Sequence, residues 1–243
     1  MPARSSALYC TYPWRRTPLR AHLAGAGLLP HFVGYAQSGL KNGGTMATAQ
    51  FVNVGEATEM DIQQLAAVGD DAADNVVIQT LDFAGRTVAS YVWNDWVEAT
   101  PCWVDDGYEK VKDVTIAPGS GIWVQGTTLS QGIQSAGKVK TEDVTVALKN
   151  GGTLAGNPFP VSINLQDILA SGDAAADNVV IQTLDYAGRT VASYVWNDWV
   201  EATPCWVDDG YEKVEGVTIA GGEGLWVQGT LSTQYITFPA PEF

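Results

Sequence analysis

The sequence predicts an all-β protein built as two tandem antiparallel β-sandwich domains, with small β-barrels as the alternative closure. Three observations carry that expectation. Residues 74–126 recur at 177–229, an offset of 103, with six differences over 53 positions. Each copy is a series of short β-branched and aromatic runs separated by Asp, Asn, Gly and Pro, which reads as strands and turns. Only 16% of residues are charged while 46% are hydrophobic, and 26 glycines and 9 tryptophans suit tight turns and aromatic packing better than long helices.

The repeat sets the domain bounds. Its six differences are Phe83/Tyr186, Lys112/Glu215, Asp113/Gly216, Pro118/Gly221, Ser120/Glu223 and Ile122/Leu225. Looser similarity continues outward: Leu40 to Thr45 recurs as Leu148 to Thr153, and Thr128-Leu129-Ser130 as Thr230-Leu231-Ser232. The units are therefore 33–136 and 137–243, each the size of a small domain. A solenoid repeat, of ~20 to ~50 residues, is excluded by that period.

Along the first unit, Asn75 to Asp82 reads as a strand, Ala84-Gly85 as a turn and Thr87 to Trp93 as the return strand. Val88, Ser90 and Val92 share one face of it, and Ala89, Tyr91 and Trp93 the other. Asn94-Asp95 makes the next turn, and Trp96 to Val104 reads as an edge or bulged strand interrupted by Pro101. Asp106-Gly107 carries the type I′ hairpin signal, leading into Tyr108 to Val111. Val114 to Ile116 and Ile122 to Gln125 follow, joined by the tight turn Pro118-Gly119-Ser120-Gly121. Asp61 to Val68 and Asn164 to Ala170 read as short helices.

Residues 1–32 differ from the rest. They hold Arg4, Arg15, Arg16, Arg20, His22 and His31 around a short apolar run, and read as a leader or a mis-assigned start outside the fold. From residue 33 onward 9 basic residues (13 − 4) face 27 acidic ones, a formal charge of −18. Such a surface repels nucleic acid, which needs clustered Lys and Arg. No apolar run is long enough to cross a bilayer as a helix, so membrane insertion is not expected.

Gly156-Asn157-Pro158-Phe159-Pro160, the following Ile163 to Ile168 and the closing Gly222-Glu223-Gly224-Leu225-Trp226-Val227 resemble repeats of uncharacterised secreted bacterial surface proteins. Those repeats carry a G-N-P-F-P segment and a closing P-G-x-G-L-W-V strand. The first unit departs from the pattern, with Val54-Gly55-Glu56 where G-N-P-F-P is expected, and the second has Gly221 for the closing proline. The resemblance implies an extracellular or cell-surface β-sandwich and brings no catalytic residues with it.

The chemical inventory agrees. No histidine follows His31, which removes the usual general base and the commonest zinc ligand. No phosphate loop, dinucleotide fingerprint or nucleophile elbow is present. No enzyme is expected and no cofactor is required; paired acids acting as a glycoside hydrolase are a third reading. Cys102 and Cys205, equivalent in the two copies, read as small buried hydrophobes, with a disulfide between chains as the sharper alternative. Asp105, Asp106 and Glu109, mirrored by Asp208, Asp209 and Glu212, are candidate Ca²⁺ ligands, against ordinary turn-forming acids. Asp70, Asp71 and Asp74, mirrored by Asp173 and Asp177, form a second acidic cluster.

Trp93 and Trp96, with Trp196 and Trp199, flank an Asn-Asp turn and are candidate sugar platforms; Trp103 and Trp123 sit in apolar runs suited to the core. Two functions remain open. One is a non-catalytic structural or adhesive surface protein that assembles with itself, by strand addition through the closing strand of each unit or through Tyr235 to Phe238. The other is a carbohydrate-binding protein whose partner is a surface glycan.

Overall fold

The computed structural model describes residues 33–40, 43–50, 59–127 and 130–242; the expected leader, Cys10, both histidines and Val54-Gly55-Glu56 lie outside them. The first unit contains β1 (Val33–Gly39), β2 (Gly43–Thr48), β3 (Met60–Asp61), β4 (Leu65–Val68), β5 (Val77–Leu81), β6 (Thr87–Asn94), β7 (Cys102–Val104), β8 (Thr115–Ile116), β9 (Gly121–Gly126) and β10 (Gly132–Lys138), the last of which carries this unit past the expected bound at 136. The second repeats the series as β11 (Val144–Ala147), β12 (Gly151–Gly156), β13 (Ile163–Asn164), β14 (Leu169–Gly172), β15 (Val180–Leu184), β16 (Thr190–Asn197), β17 (Cys205–Val207), β18 (Thr218–Ile219), β19 (Gly224–Gly229) and β20 (Gln234–Phe238).

Each unit is an antiparallel sandwich. A five-stranded sheet, β2-β9-β5-β6-β7 or β12-β19-β15-β16-β17, faces a three-stranded one, β1-β10-β4 or β11-β20-β14, and a two-stranded ribbon accompanies each pair. None of these sheets closes into a barrel. The core of the first unit packs Ile78, Ile122 and Val124 against Leu65, Ala67 and Ile133. The second does the same with Ile181, Leu225 and Val227 against Ile168, Ala170 and Ile236, and adds Phe159 and Phe238. Alternation of buried and part-exposed residues along β9 and β4 is what strands with one covered face require.

Trp103 sits at the centre. Fully buried, it donates its indole N–H to the Leu65 carbonyl at 2.8 Å. The Gln63 side chain fastens the same segment three times: it donates to the carbonyls of Trp103 and Val111, each at 2.9 Å, and accepts the Trp103 N–H at 3.0 Å. Trp206 and Gln166 repeat the arrangement. This network corrects the short helices expected at Asp61 to Val68 and Asn164 to Ala170. Asp61 and Asn164 each accept the N–H two residues on and start a single 3-10 turn, Ile62–Gln64 or Leu165–Asp167. The chain then turns extended because Leu65 and Ala67 must both reach the core, a period of two rather than 3.6.

Three other expectations are corrected. Trp96 to Val104 is paired only over Cys102–Val104, because Asn94 draws the N–H groups of Trp96 and Val97 into a turn. Tyr108 to Val111 forms only one bridge, Val104 to Lys110. Thr48 and Gly156 pair with the equivalent residues Gly121 and Gly224, so Ala49-Gln50 takes the place of Asn157-Pro158, and the G-N-P-F-P position begins before Val54.

The two units meet through a pseudo-twofold junction. The outer edge of β2 receives the second unit, with Gly44 N–H donating to the Tyr186 carbonyl at 2.9 Å and Thr48 N–H to Gly222 at 3.1 Å. Reciprocally, Gly152 donates to Phe83 and Gly156 to Gly119, both at 2.9 Å. Each unit thus covers an edge strand of the other, which removes two free pairing templates. It also corrects the expected route to self-assembly. β9 and β19 are interior strands and β20 lies between β11 and β14, so none of the three offers a free edge.

Candidate functional site: two exposed aromatic pairs

The β6–β7 connection and the turn that follows β7 build one feature twice. Asn94, fully buried at the end of β6, accepts the N–H groups of Trp96 and Val97 at 3.0 and 2.9 Å. Its amide donates to the Asp74 carboxylate at 2.8 Å. One buried side chain thus sets the path of the loop and orients an exposed acid beside it. Asn197 and Asp177 repeat these contacts, and there the Trp199 indole N–H also reaches Asp177 at 3.3 Å.

The loop so fixed presents Trp96, 62% exposed, and Trp199, 61% exposed. Beside each stands an exposed tyrosine. Trp96 and Tyr108 have ring centroids 5.2 Å apart with planes tilted by 38°; Trp199 and Tyr211 are 5.2 Å apart at 37°. Large aromatics seldom lie this open in pairs, because each leaves apolar ring in water.

Tyr108 occupies that place at a backbone cost. Asp105 accepts the N–H groups of Gly107 and Glu109, and Tyr108 N–H donates to the Asp105 carbonyl, closing a turn in which Tyr108 has φ 57°. Positive φ falls on the tyrosine and not on Asp106 or Gly107, so this is a three-residue loop with a left-handed bulge in place of the expected type I′ turn. The same pattern occurs at Asp82 to Arg86, where Asp82 accepts from Ala84 and Arg86, and there the left-handed position is Gly85, φ 75°. Glycine takes that conformation without penalty; a bulky L-residue pays about 1–2 kcal/mol. Tyr211, φ 60°, repeats the strain. Strain held at two equivalent exposed sites points to a use for the side chain.

Trp93 and Trp196 turn inward instead. Each packs edge-on against the buried tryptophan of its core, Trp93 on Trp103 and Trp196 on Trp206, with centroids 5.1 Å apart, so they are core residues rather than platforms. The sequence reading singles out neither the two tyrosines nor the Asn–Asp pairing that holds the loop. The parallel between the five-residue turns D-F-A-G-R and D-D-G-Y-E is the signal that could have exposed Tyr108.

The calcium candidates do not assemble. Asp105 and Asp208 each turn one carboxylate oxygen, Oδ1, to their own turns, and Asp106, Glu109, Asp209 and Glu212 stand exposed around them. Among the described residues no group of three or more Asp, Glu, His or Cys side chains is placed to hold a metal. Cys102 and Cys205 are buried free thiols, their pKa pushed up by desolvation, and neither is presented to another chain. Two cavities lie at the unit junction. Among the described residues, one is lined by no ionisable side chain and the other by a single carboxylate, Asp177. Among the described residues no helix is long and apolar enough to cross a membrane.

Comparison with known proteins returns no match to a family model, to a curated protein or to a solved structure.

Proposed function

We propose that the chain is a non-catalytic adhesive protein of the extracellular or cell-surface environment that binds glycan through two equivalent aromatic platforms, Trp96–Tyr108 and Trp199–Tyr211. The observation that carries the reading is the strained, exposed tyrosine beside an exposed tryptophan, found in both units. A sugar ring has an apolar face of C–H groups and a rim of hydroxyls. Two tilted rings cover the face, and Asp74 or Asp177, held by Asn94 or Asn197, can accept from the rim. Burial of ring surface supplies affinity and the acid supplies orientation, the division of labour common to small-ligand sites. The acidic surface favours neutral over anionic glycans by simple repulsion.

The test is a panel of soluble and immobilised neutral glycans probed with the parent chain and with Trp96→Ala/Trp199→Ala. At least one glycan should bind the parent and lose most of that binding in the variant. Absence of binding across the panel, or equal binding by both proteins, would sink the reading.

A further inference from the structure

We infer that the cleft between the two units is a second glycan site, which takes a short stretch of neutral saccharide chain, one per molecule. The inference rests on the proposed function only for its ligand class; its geometry is separate from the platforms.

Cross-strand partners share a face, so Met46, Trp123 and Gln79 form a row across the outer face of the first five-stranded sheet. Leu154, Trp226 and Gln182 form the same row on the second. The two rows line one cavity of about 400 Å³. That volume is in the range of small-ligand pockets. Each indole lies on a glycine, Trp123 on Gly44 and Trp226 on Gly152, where any Cβ would collide with the ring. The edges are approached by the opposite unit: a Cβ at Gly188 would lie 4.0 Å from Trp123, and one at Gly85 3.8 Å from Trp226. The two part-exposed indoles are thus held by backbone across a pseudo-twofold axis.

The chemistry of the lining selects the occupant. In a chain of net charge −14, no ionisable side chain among the described residues lines this cleft. An ionic ligand would lose hydration with no counter-charge to replace it. What the cleft offers is two aromatic rings, two glutamine amides and the hydroxyls of Thr87 and Thr190, which match a neutral ligand with apolar faces and hydroxyl edges. Val88 and Val191 are the extra residues of the bulges where the β5–β6 and β15–β16 registers shift, beside Thr87 and Thr190. They are 68% and 70% exposed, so the strand ends next to the lining residues Thr87 and Thr190 are open to solvent. The pseudo-twofold gives one site per molecule, whereas the platforms give two.

Stoichiometry therefore separates the sites. Calorimetric titration with neutral trisaccharides (maltotriose, cellotriose, xylotriose and N-acetylchitotriose) is run on the parent and on Trp96→Ala/Trp199→Ala. The expected result is one site per chain retained in the variant. Two changes made separately in that background, Gln79→Ala/Gln182→Ala and Trp123→Phe/Trp226→Phe, should each weaken it about tenfold or more. If the parent binds two per chain and the platform variant none, the cleft inference is overturned while the platform reading stands. If the variant retains its single site but the glutamine and tryptophan changes both leave it unaltered, the placement is wrong. If no trisaccharide binds either protein, both fail.

Discussion

Replacing Tyr108 and Tyr211 by glycine separates the platform from the scaffold that carries it. The two tyrosines hold φ of 57° and 60°. The backbone gains by the change, because such a conformation costs a bulky residue about 1–2 kcal/mol that glycine does not pay. Against this stand glycine's extra chain entropy, ~0.5–1 kcal/mol, and the lost ring contact with Trp96 or Trp199, ~0.5–1.5 kcal/mol. The net effect per unit lies between a gain of about 1 and a loss of about 1.5 kcal/mol, so any fall in Tm stays within about 10 °C for a unit of this size. Binding should suffer at least as much. If each tyrosine covers roughly 60 Å² of sugar at ~25 cal/mol per Å², its removal costs ~1.5 kcal/mol, more than tenfold in affinity. Thermal melts followed by circular dichroism and titration with the best glycan measure both quantities on one sample. Unchanged affinity would refute the role given to the tyrosines. A drop in Tm of twice the expected size would refute the strain argument.

Further expectations concern the scaffold. Gln63→Ala or Gln166→Ala removes three hydrogen bonds from the segment holding the central tryptophan. Either change should cost about 2–4 kcal/mol, read as a fall in urea midpoint, and an unmoved midpoint would contradict the network. Gly44→Ala and Gly152→Ala must displace the indoles of Trp123 and Trp226. The cost should be about 1–3 kcal/mol each with a changed tryptophan emission, and unaltered emission would count against the packing described. Asp82 and Asp185 are held below the ordinary carboxylate range chiefly by the backbone N–H of Arg86 and Arg189. Their contribution to the hairpins that cap the opposite unit is therefore present above that range and fades as pH falls through and below it. Acid should loosen the junction before the cores, seen as Trp123 and Trp226 emission changing ahead of far-ultraviolet dichroism; coincident transitions would contradict this order.

What the sequence made legible was what local chemistry controls. The duplication set the repeating unit, and β-branched runs placed β5, β6 and β9 within a residue or two of where they lie. Alternation along β6 put Tyr91 and Trp93 on one face but left open which face was inward, so Trp93, expected as a sugar platform, packs against the core instead. The helices at Asp61 and Asn164 failed because tertiary contact overrides a local helical pattern. Here the override is the bond from the Trp103 indole to the Leu65 carbonyl, 38 residues apart in the chain. Tyr108 escaped notice because Asp-Gly advertises its own turn, and the residue that took positive φ was the next one along. The shared cover over β2 and β12 is a contact between units, written in glycines whose purpose shows only when the opposite unit is present.

The claim that two equivalent exposed aromatic pairs bind glycan is tested most directly by the indole N–H resonances of ¹⁵N-labelled protein during glycan titration. The chain has 9 tryptophans, and the account predicts that Trp96 and Trp199 shift together while the buried Trp103 and Trp206 stay still. Shifts absent from both Trp96 and Trp199 under a glycan that binds would contradict it.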